Sequence, residues 1–184
     1  MHKEVRLFIR EVKRKYPKYF WNKKVLEVGS QYINGSCRKY FWYCDYTGLD
    51  LEKGRCVDVV CHGADWRKSN YYDVVISCES MEHDNRWSET LLRMYENVRE
   101  GGLMIMTCAS TERPEHGTKR TLPQDSPFTT DYYRNISVND LIDTFGGAYG
   151  MMSKFSEHYW DVRRNGQDLV FYGIKATTNA TTKH

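Results

Sequence analysis

Five short apolar runs without polar alternation divide the first two thirds of this sequence. They lie at residues 24–29, 46–50, 56–61, 73–78 and 103–108. Runs of this kind are typical of strands that are buried on both faces of a parallel sheet. Two further strands are predicted at 152–162 and 168–175, and Asn165-Gly166 between them is a strong signal for an antiparallel hairpin.

Apolar residues at helical spacing predict the helices. The first helix spans 2–16, the second 87–99 and the third 137–145, and a short helix is expected to begin at Gly35. Helices that alternate with buried strands cover both faces of a sheet. The sequence therefore predicts an α/β fold, Rossmann-like and doubly wound, with a mostly parallel seven-stranded sheet that ends in the antiparallel hairpin.

Length and charge suggest how the chain is organised. In a chain of 184 residues a single domain over 24–176 is expected, and the small polar residues of 177–184 predict a flexible tail. Residues 1–23 predict a basic amphipathic helix packed on that domain. Its apolar stripe could pack on the sheet, or its Lys and Arg side chains could form a basic lid or a surface for an anionic substrate.

Composition argues against several classes of protein. The net charge of +3 is too small to indicate nucleic-acid binding by itself, although the basic first helix leaves structured RNA open. No apolar run approaches the roughly 18 residues of a membrane span, so no membrane partner is expected. The six cysteines form no Cys-x-x-Cys pair, which favours reduced thiols in a cytoplasmic protein. No three-ligand metal spacing is visible, and no metal is expected.

The turn after the first strand suits a ligand. Glu27 and Gly29 end the strand, and the polar turn reaches a second glycine at Gly35. A dinucleotide-binding turn needs Gly-x-Gly-x-x-Gly, because a pyrophosphate lies against bare backbone, and this turn lacks that pattern. Glu27 would repel phosphates but attract the sulfonium and ammonium groups of S-adenosylmethionine. Asp50 ends the second strand and could accept hydrogen bonds from the ribose hydroxyls of either ligand.

Four segments, in order, resemble the successive motifs of class I S-adenosylmethionine-dependent methyltransferases. They lie at 25–30, 46–50, 73–83 and 99–103. The stretch 107–117 looks like one found in small stand-alone members, similar to methyltransferase type 11. The resemblance covers about residues 24–175 and implies an enzyme that transfers a methyl group from S-adenosylmethionine.

The same resemblance implies which residues contact the cofactor. Those at the methionine and ribose end would be Glu27, Gly29, Ser30 and Gly35, with Cys78 and Glu79 facing the methionine moiety. Asp50 would hold the ribose. Those at the adenine would be Leu51, His62, Gly63 and Ala64. His62 stands where the family often has an acid.

Methyl transfer from a sulfonium is an in-line displacement, so positioning supplies much of the rate. A general base is needed only if the acceptor must lose a proton, and His83 and His116 are the candidate catalytic residues. Residues 109–135 predict a long loop of the kind that lies over a site. Candidate substrate contacts in this loop are Arg113, Glu115, Tyr132, Tyr133 and Arg134.

A small-molecule or sugar-like (glycan) acceptor fits the size of the chain. The acid-Pro-Pro-aromatic turn of amino-directed DNA methyltransferases and the Pro-Cys of cytosine-carbon enzymes are missing from the sequence. Two alternatives stay open: an RNA methyltransferase, and a module or subunit that binds S-adenosylmethionine without catalysis. A Rossmann oxidoreductase would need the glycines of a dinucleotide turn.

Overall fold

Seven strands form the sheet of this protein. In the computed structural model they are β1 (Lys24–Val28), β2 (Asp45–Asp50), β3 (Val59–Val60), β4 (Tyr72–Cys78), β5 (Val98–Ala109), β6 (Phe155–Arg163) and β7 (Asp168–Lys175). Their order is β3-β2-β1-β4-β5-β7-β6, with the first five strands parallel and β7 antiparallel to β5 and to β6. The predicted mostly parallel sheet and its terminal hairpin are confirmed.

The structure describes residues 1–129 and 131–178, so most of the predicted tail at 177–184 lies outside the described residues. Within these described residues, four α-helices cover the sheet. They are α1 (Lys3–Lys15), α2 (Trp87–Asn97), α3 (Val138–Thr144) and α4 (Gly147–Lys154). None of the helices in the described residues is long and apolar enough to cross a membrane.

The apolar stripe of α1 packs on one face of the sheet. Val5, Phe8, Ile9 and Val12 are buried there. They share a core cluster with Val25 of β1 and with residues of β4, β5 and β7. A second cluster on the opposite face unites α2, α3 and α4 with the same strands. The basic side chains of α1 therefore surround a helix whose apolar stripe is part of the core.

The segment between β1 and β2 differs from the prediction. The short helix expected from Gly35 is only a 3₁₀ turn at Cys37–Tyr40. Tyr40 and the following Phe41 are buried in the same cluster as α1. Since α1 already covers this face of the sheet, the chain returns to β2 without a crossover helix. The predicted third strand is also shortened, from 56–61 to the two residues of β3.

Some predicted boundaries are wrong for identifiable reasons. The helix predicted to 99 ends at Asn97 and the strand predicted from 103 begins at Val98, because Val98 already pairs with β4 and the register shifts before Leu103. The strand predicted at 152–162 begins only at Phe155, because residues 147–154 form α4. Met151 of α4 is buried in the second core cluster, where tertiary packing overrides the local preference.

The N-terminal end of α1 is held by a cluster of charges. His2 Nε2 lies 3.0 Å from Glu79 Oε2, just after β4, and 3.5 Å from Asp168 Oδ1 of β7. Arg113 donates to the same Asp168 oxygen at 2.7 Å, and Arg164 lies 3.5 Å from its other oxygen. Burial alone would lower the pKa of His2, but its hydrogen bonds with Asp168 and Glu79 outweigh burial and raise the pKa to about 9.

Replacing Phe8 by Asp should strongly destabilise the fold. Phe8 is 1% exposed, and its ring stacks on Tyr172 of β7 at a centroid distance of 6.5 Å. Losing this packing costs about 3–5 kcal/mol, and a buried carboxylate adds to that cost. Urea denaturation of Phe8→Asp beside the exposed Lys3→Asp measures the effect. An unchanged midpoint in Phe8→Asp would contradict the packing of α1 on the sheet.

Stability should fall as pH rises from about 6.5 to 9, in part through His2. A folded-state pKa above the ordinary value of about 6.5 means that the stabilisation is complete below that value and is lost as pH rises through about 9. Thermal melting at pH 6 and pH 9.5 should show a smaller difference for His2→Gln than for the parent. The matched control His158→Gln, on β6, should behave as the parent does. Identical pH dependence in His2→Gln and the parent would refute the ion pairs.

Candidate functional site

The candidate site lies beside β1, at the centre of the sheet. The chain continues from β1 to β2 on one side and later returns to form β4 on the other side of β1. This is the topological switch point of the sheet, at the carboxyl ends of the parallel strands. Gly29 follows β1 with φ +75°, and a Cβ there would lie 2.5 Å from the Ser80 side chain. Only glycine allows the turn after β1 to approach the segment after β4 this closely.

A cleft at this edge has two adjoining cavities, of about 180 and 260 Å³. Predicted site residues that line the smaller cavity are Glu27, Gly29, Gly35, Asp50, Cys78, Glu79, His83, Arg113 and His116. Those that line the larger cavity are Gly29, Asp50, Leu51, His62, Gly63 and His83. Gly29, Asp50 and His83 belong to both, so they mark the place where the two cavities meet.

Two residues predicted to contact the cofactor line neither cavity. Ser30 is 2% exposed, and a Cβ on Gly48 of β2 would lie 2.7 Å from its Oγ. Its backbone N–H donates to the Leu49 carbonyl at 2.9 Å, so Ser30 ties the turn to β2. Ala64 is buried, and its N–H donates to His62 Nδ1 at 3.1 Å. Both residues hold neighbours of the cleft in place.

Asp50 presents its carboxylate at the junction of the cavities. Oδ2 accepts a hydrogen bond from the Gln31 N–H and Oδ1 from the Leu51 N–H, each at 2.8 Å. Burial raises the pKa of Asp50, and these two hydrogen bonds oppose the shift. Each carboxylate oxygen can accept a further hydrogen bond, so the group can take two donors from a ligand.

Glu27 lies at the floor of the smaller cavity. It is 3% exposed, and the Tyr46 hydroxyl donates to its Oε2 at 2.8 Å. Burial raises the pKa of Glu27 to about 7, against the opposing hydrogen bond from Tyr46. Beside it, Cys37 Sγ lies 3.2 Å from Cys78 Sγ as a pair of free thiols. This end of the cleft suits a positively charged group, which would favour the ionised form of Glu27.

Glu79 is bound on several sides. It accepts from the Thr107 hydroxyl at 3.0 Å, and the Arg113 guanidinium lies 4.0 Å from it, in addition to the contact with His2. Burial alone would raise the pKa of Glu79, but His2, Arg113 and Thr107 outweigh burial and lower it. Glu79 is therefore an ionised carboxylate whose charge is balanced within the protein.

The candidate bases His83 and His116 face each other, with ring centroids 5.0 Å apart. Burial and the charge of His116 lower the pKa of His83 to about 4, so its imidazole is neutral at pH 7. The preceding residue, Glu82, is fully buried, and burial together with the charge of Glu79 raises its pKa to about 8. Glu82, which the sequence analysis did not single out, lies beside both histidines.

The other predicted substrate residues lie around the cleft without lining it. Tyr133 packs against the rings of His83 and His116 at 5.5 and 5.1 Å. Glu115 bonds Thr118 and Arg120 instead. Arg134 pairs with Asp140 of α3 and lies over Trp87. Tyr132 is half-buried outside both cavities.

Several residues that line the cleft were not found from the sequence. They are Met1, His2, Gln31, Ser80 and the loop residues Asp125, Ser126, Pro127, Phe128 and Thr129. The N-terminal residues are more than seventy positions from β4 along the chain, so no local pattern indicates their place. The loop residues could have been suspected, because the long segment after β5 was expected to lie over the site.

Comparisons with solved structures support this interpretation of the sheet. No protein-family model and no curated protein sequence matches the chain. A 1,6-didemethyltoxoflavin N1-methyltransferase from Burkholderia thailandensis, solved with S-adenosylhomocysteine, is 14% identical, with a TM-score of 0.61 over 88% of this chain and 75% of that one. A S-adenosylmethionine-dependent methyltransferase from Archaeoglobus fulgidus is 13% identical, with a TM-score of 0.59 over 92% and 94%.

A third similar structure is phosphoethanolamine N-methyltransferase 2 from Haemonchus contortus, solved with S-adenosylmethionine. It is 12% identical, with a TM-score of 0.63 over 92% of this chain, which spans only 52% of that enzyme. Identities this low establish the architecture alone. The strand order, the antiparallel hairpin and these likenesses together show that the chain has the class I methyltransferase fold.

Proposed function

We propose that this chain transfers a methyl group from S-adenosylmethionine to a small-molecule acceptor. The observation that carries the proposal is Asp50, whose carboxylate lies where the two cavities meet and keeps acceptor capacity on both oxygens. A ribose with two neighbouring hydroxyls at this point would leave one cavity for the base and the other for the amino-acid part. The similar structures were solved with this cofactor or its product, which agrees with the proposal.

The two cavities differ in the charge of the residues that line them, as the two ends of the cofactor require. Leu51, His62 and Gly63 line the larger cavity, which is proposed to take the adenine. Glu27 puts a carboxylate in the smaller one, which would favour the ammonium and sulfonium groups, whereas the charge of Glu79 beside it is already balanced by His2 and Arg113. Gln31 and Ile33 also line the smaller cavity, and the Gln31 N–H donates to Asp50 while that carboxylate still faces the cleft.

When bound, S-adenosylmethionine supplies the methyl group on a sulfonium leaving group. The residues of this chain would then hold the acceptor atom in line with the methyl carbon and the sulfur. His116 lines only the smaller cavity and His83 lies where the two cavities meet, and these two residues are the candidates to contact the acceptor. With a pKa of about 4, His83 is a weak general base at neutral pH, so positioning is its more effective contribution.

The lining of the acceptor end favours a small polar molecule. His83, Arg113, His116 and Ser126 converge there, and the cavity of about 180 Å³ leaves little room beyond the cofactor. A sugar or another hydroxyl-bearing metabolite satisfies these groups better than an apolar ring. An RNA acceptor would have to present a single nucleoside through the same opening, beside Met1 and His2 at the start of the chain.

Asp50→Ala should weaken binding of S-adenosylmethionine and S-adenosylhomocysteine by more than about tenfold. Two charge-assisted hydrogen bonds to ribose contribute about 1.5–3 kcal/mol each. Titration calorimetry measures the change, and Asp45→Ala, at the other end of β2 and exposed, is the matched control. Equal affinities for Asp50→Ala and the parent, both folded by melting temperature, would overturn the ribose contact.

Turnover should appear with a polar small molecule as acceptor. A screen with a radiolabelled methyl donor would compare sugars, nucleosides, small amines and a short oligoribonucleotide, using the full chain. Label transfer to a sugar or hydroxyl compound is expected. Transfer only to the oligonucleotide would favour the RNA enzyme, and micromolar cofactor binding without transfer to any class would favour a module that binds the cofactor without catalysis.

A further inference from the structure

The carboxylate of Glu82, next to His83 and His116 of the cleft, is buried without a hydrogen-bond partner among the described residues. Its side chain is 0% exposed, and within residues 1–129 and 131–178 neither of its oxygens has a hydrogen-bond partner. Buried carboxylates are ordinarily paired or hydrogen-bonded, since an isolated one is costly to remove from water. Glu82 therefore has capacity for a ligand that the described residues do not supply.

Two imidazoles complete a set of ligand atoms around that carboxylate. One atom each from Glu82, His83 and His116 lies within 4.8 Å of the others, and His116 Nε2 is 4.0 Å from Glu82 Oε1. His116 Nδ1 lies 3.1 Å from the Pro114 carbonyl, so a proton on Nδ1 donates there and leaves the Nε2 lone pair facing Glu82. His83 Nδ1 is buried without a hydrogen-bond partner among the described residues.

We propose that Glu82, His83 and His116 bind a divalent transition-metal ion at the acceptor end of the cleft. Two imidazole nitrogens and one carboxylate oxygen suit Zn²⁺, Mn²⁺ or Fe²⁺ and leave further coordination positions open. Bonds of about 2.0–2.2 Å place ligand atoms about 3–3.5 Å apart, so the three groups need to move by only about 1 Å. The hydrogen bond of His116 to Pro114 orients a ligand as outer partners do in metal sites.

Two neighbours hold the histidines in this arrangement. Gly117, with φ +66°, follows His116, and a Cβ there would lie 2.5 Å from His83 Cε1. A larger residue would separate the loop from the His83 ring. Tyr133 packs against both imidazoles, and its hydroxyl donates at 3.1 Å to the Pro114 carbonyl that also contacts His116. The constellation is therefore built by packing from β4 and from the loop after β5.

A second cluster, of one histidine and two carboxylates, shows the contrast. His2, Glu79 and Asp168 also place ligand atoms within 4.8 Å of one another. There Arg113 donates to Asp168 at 2.7 Å and lies 4.0 Å from Glu79, so the guanidinium and His2 already balance the two carboxylates. Glu82 has no such ion pair with Arg or Lys in the described residues, which is why the metal belongs with Glu82.

The position of the proposed metal site implies that the ion binds the acceptor, an inference that rests on the proposed methyl transfer. His83 and His116 line the cleft beside Glu79 and Ser80, so the open positions of the ion would face the acceptor. An ion there would bind an oxygen of the acceptor and fix its direction towards the methyl group. The acceptor class would accordingly be one that carries a hydroxyl or carboxylate oxygen.

Titration of the metal-stripped full chain with Co²⁺ tests the site. We expect one Co²⁺ per chain with a visible d–d absorption band, displacement by Zn²⁺, and a rise in melting temperature on binding. Glu82→Gln and His116→Gln should weaken binding by at least about tenfold, whereas His158→Gln should bind as the parent does. Because Gln is neutral and isosteric, Glu82→Gln should fold, and its melting temperature should no longer respond to Co²⁺.

The remaining outcomes separate the inferences. No stoichiometric Co²⁺ binding, or equal affinity in Glu82→Gln and the parent, overturns the metal site, even if S-adenosylmethionine binds. Co²⁺ binding without S-adenosylmethionine binding supports the metal site and removes the proposed methyl transfer. Azide added to the Co²⁺ form should shift the absorption band; an unchanged band would mean a closed coordination sphere and would overturn the role in acceptor binding.

Discussion

The approach of the turn after β1 to the segment after β4 is the constraint on which the cleft depends. Gly29 adopts a left-handed conformation against Ser80, and the space on either side of this contact becomes the two cavities. Any side chain at position 29 would push the two strand ends apart. Asp50 and His83 would then no longer lie together at the junction of the two cavities. The close contact between Gly29 and Ser80 therefore sets the shape of the whole site.

Three carboxylates surround this contact, the buried Glu27 and Glu82 and the partly exposed Glu79, and each has different partners. Glu27 accepts a neutral hydrogen bond from Tyr46. Glu79 is neutralised by His2 and Arg113. Glu82 receives neither a hydrogen bond nor an ion pair with Arg or Lys among the described residues. Since burial acts on all three in the same direction, these differences in partners decide which carboxylate is already compensated and which is suited to a cation from outside.

The sequence predicted the parts of the fold that depend on local pattern. β1, β4 and the hairpin of β6 and β7 follow from uninterrupted apolar runs and from Asn165-Gly166, and α1 follows from its apolar stripe. The prediction of a short helix after Gly35 was wrong, because α1, from a distant part of the chain, packs on the face of the sheet that this helix would have covered. The second helix, predicted to 99, ends at Asn97, because β5 begins at Val98 through its pairing with β4, and such pairing is a tertiary property.

The same distinction applies to the site. Residues at strand ends, such as Asp50 as the last residue of β2 and Glu79 just after β4, were predicted, because topology brings the ends of parallel strands to one edge. His2 and the loop at 125–129 reach that edge only through packing. With no crossover helix after β1, the wall at the acceptor end is made by the N-terminal segment and the loop after β5. Those two segments contribute histidine and arginine side chains to the cleft. The absence of a crossover helix between β1 and β2 therefore also explains why this end of the cleft is polar.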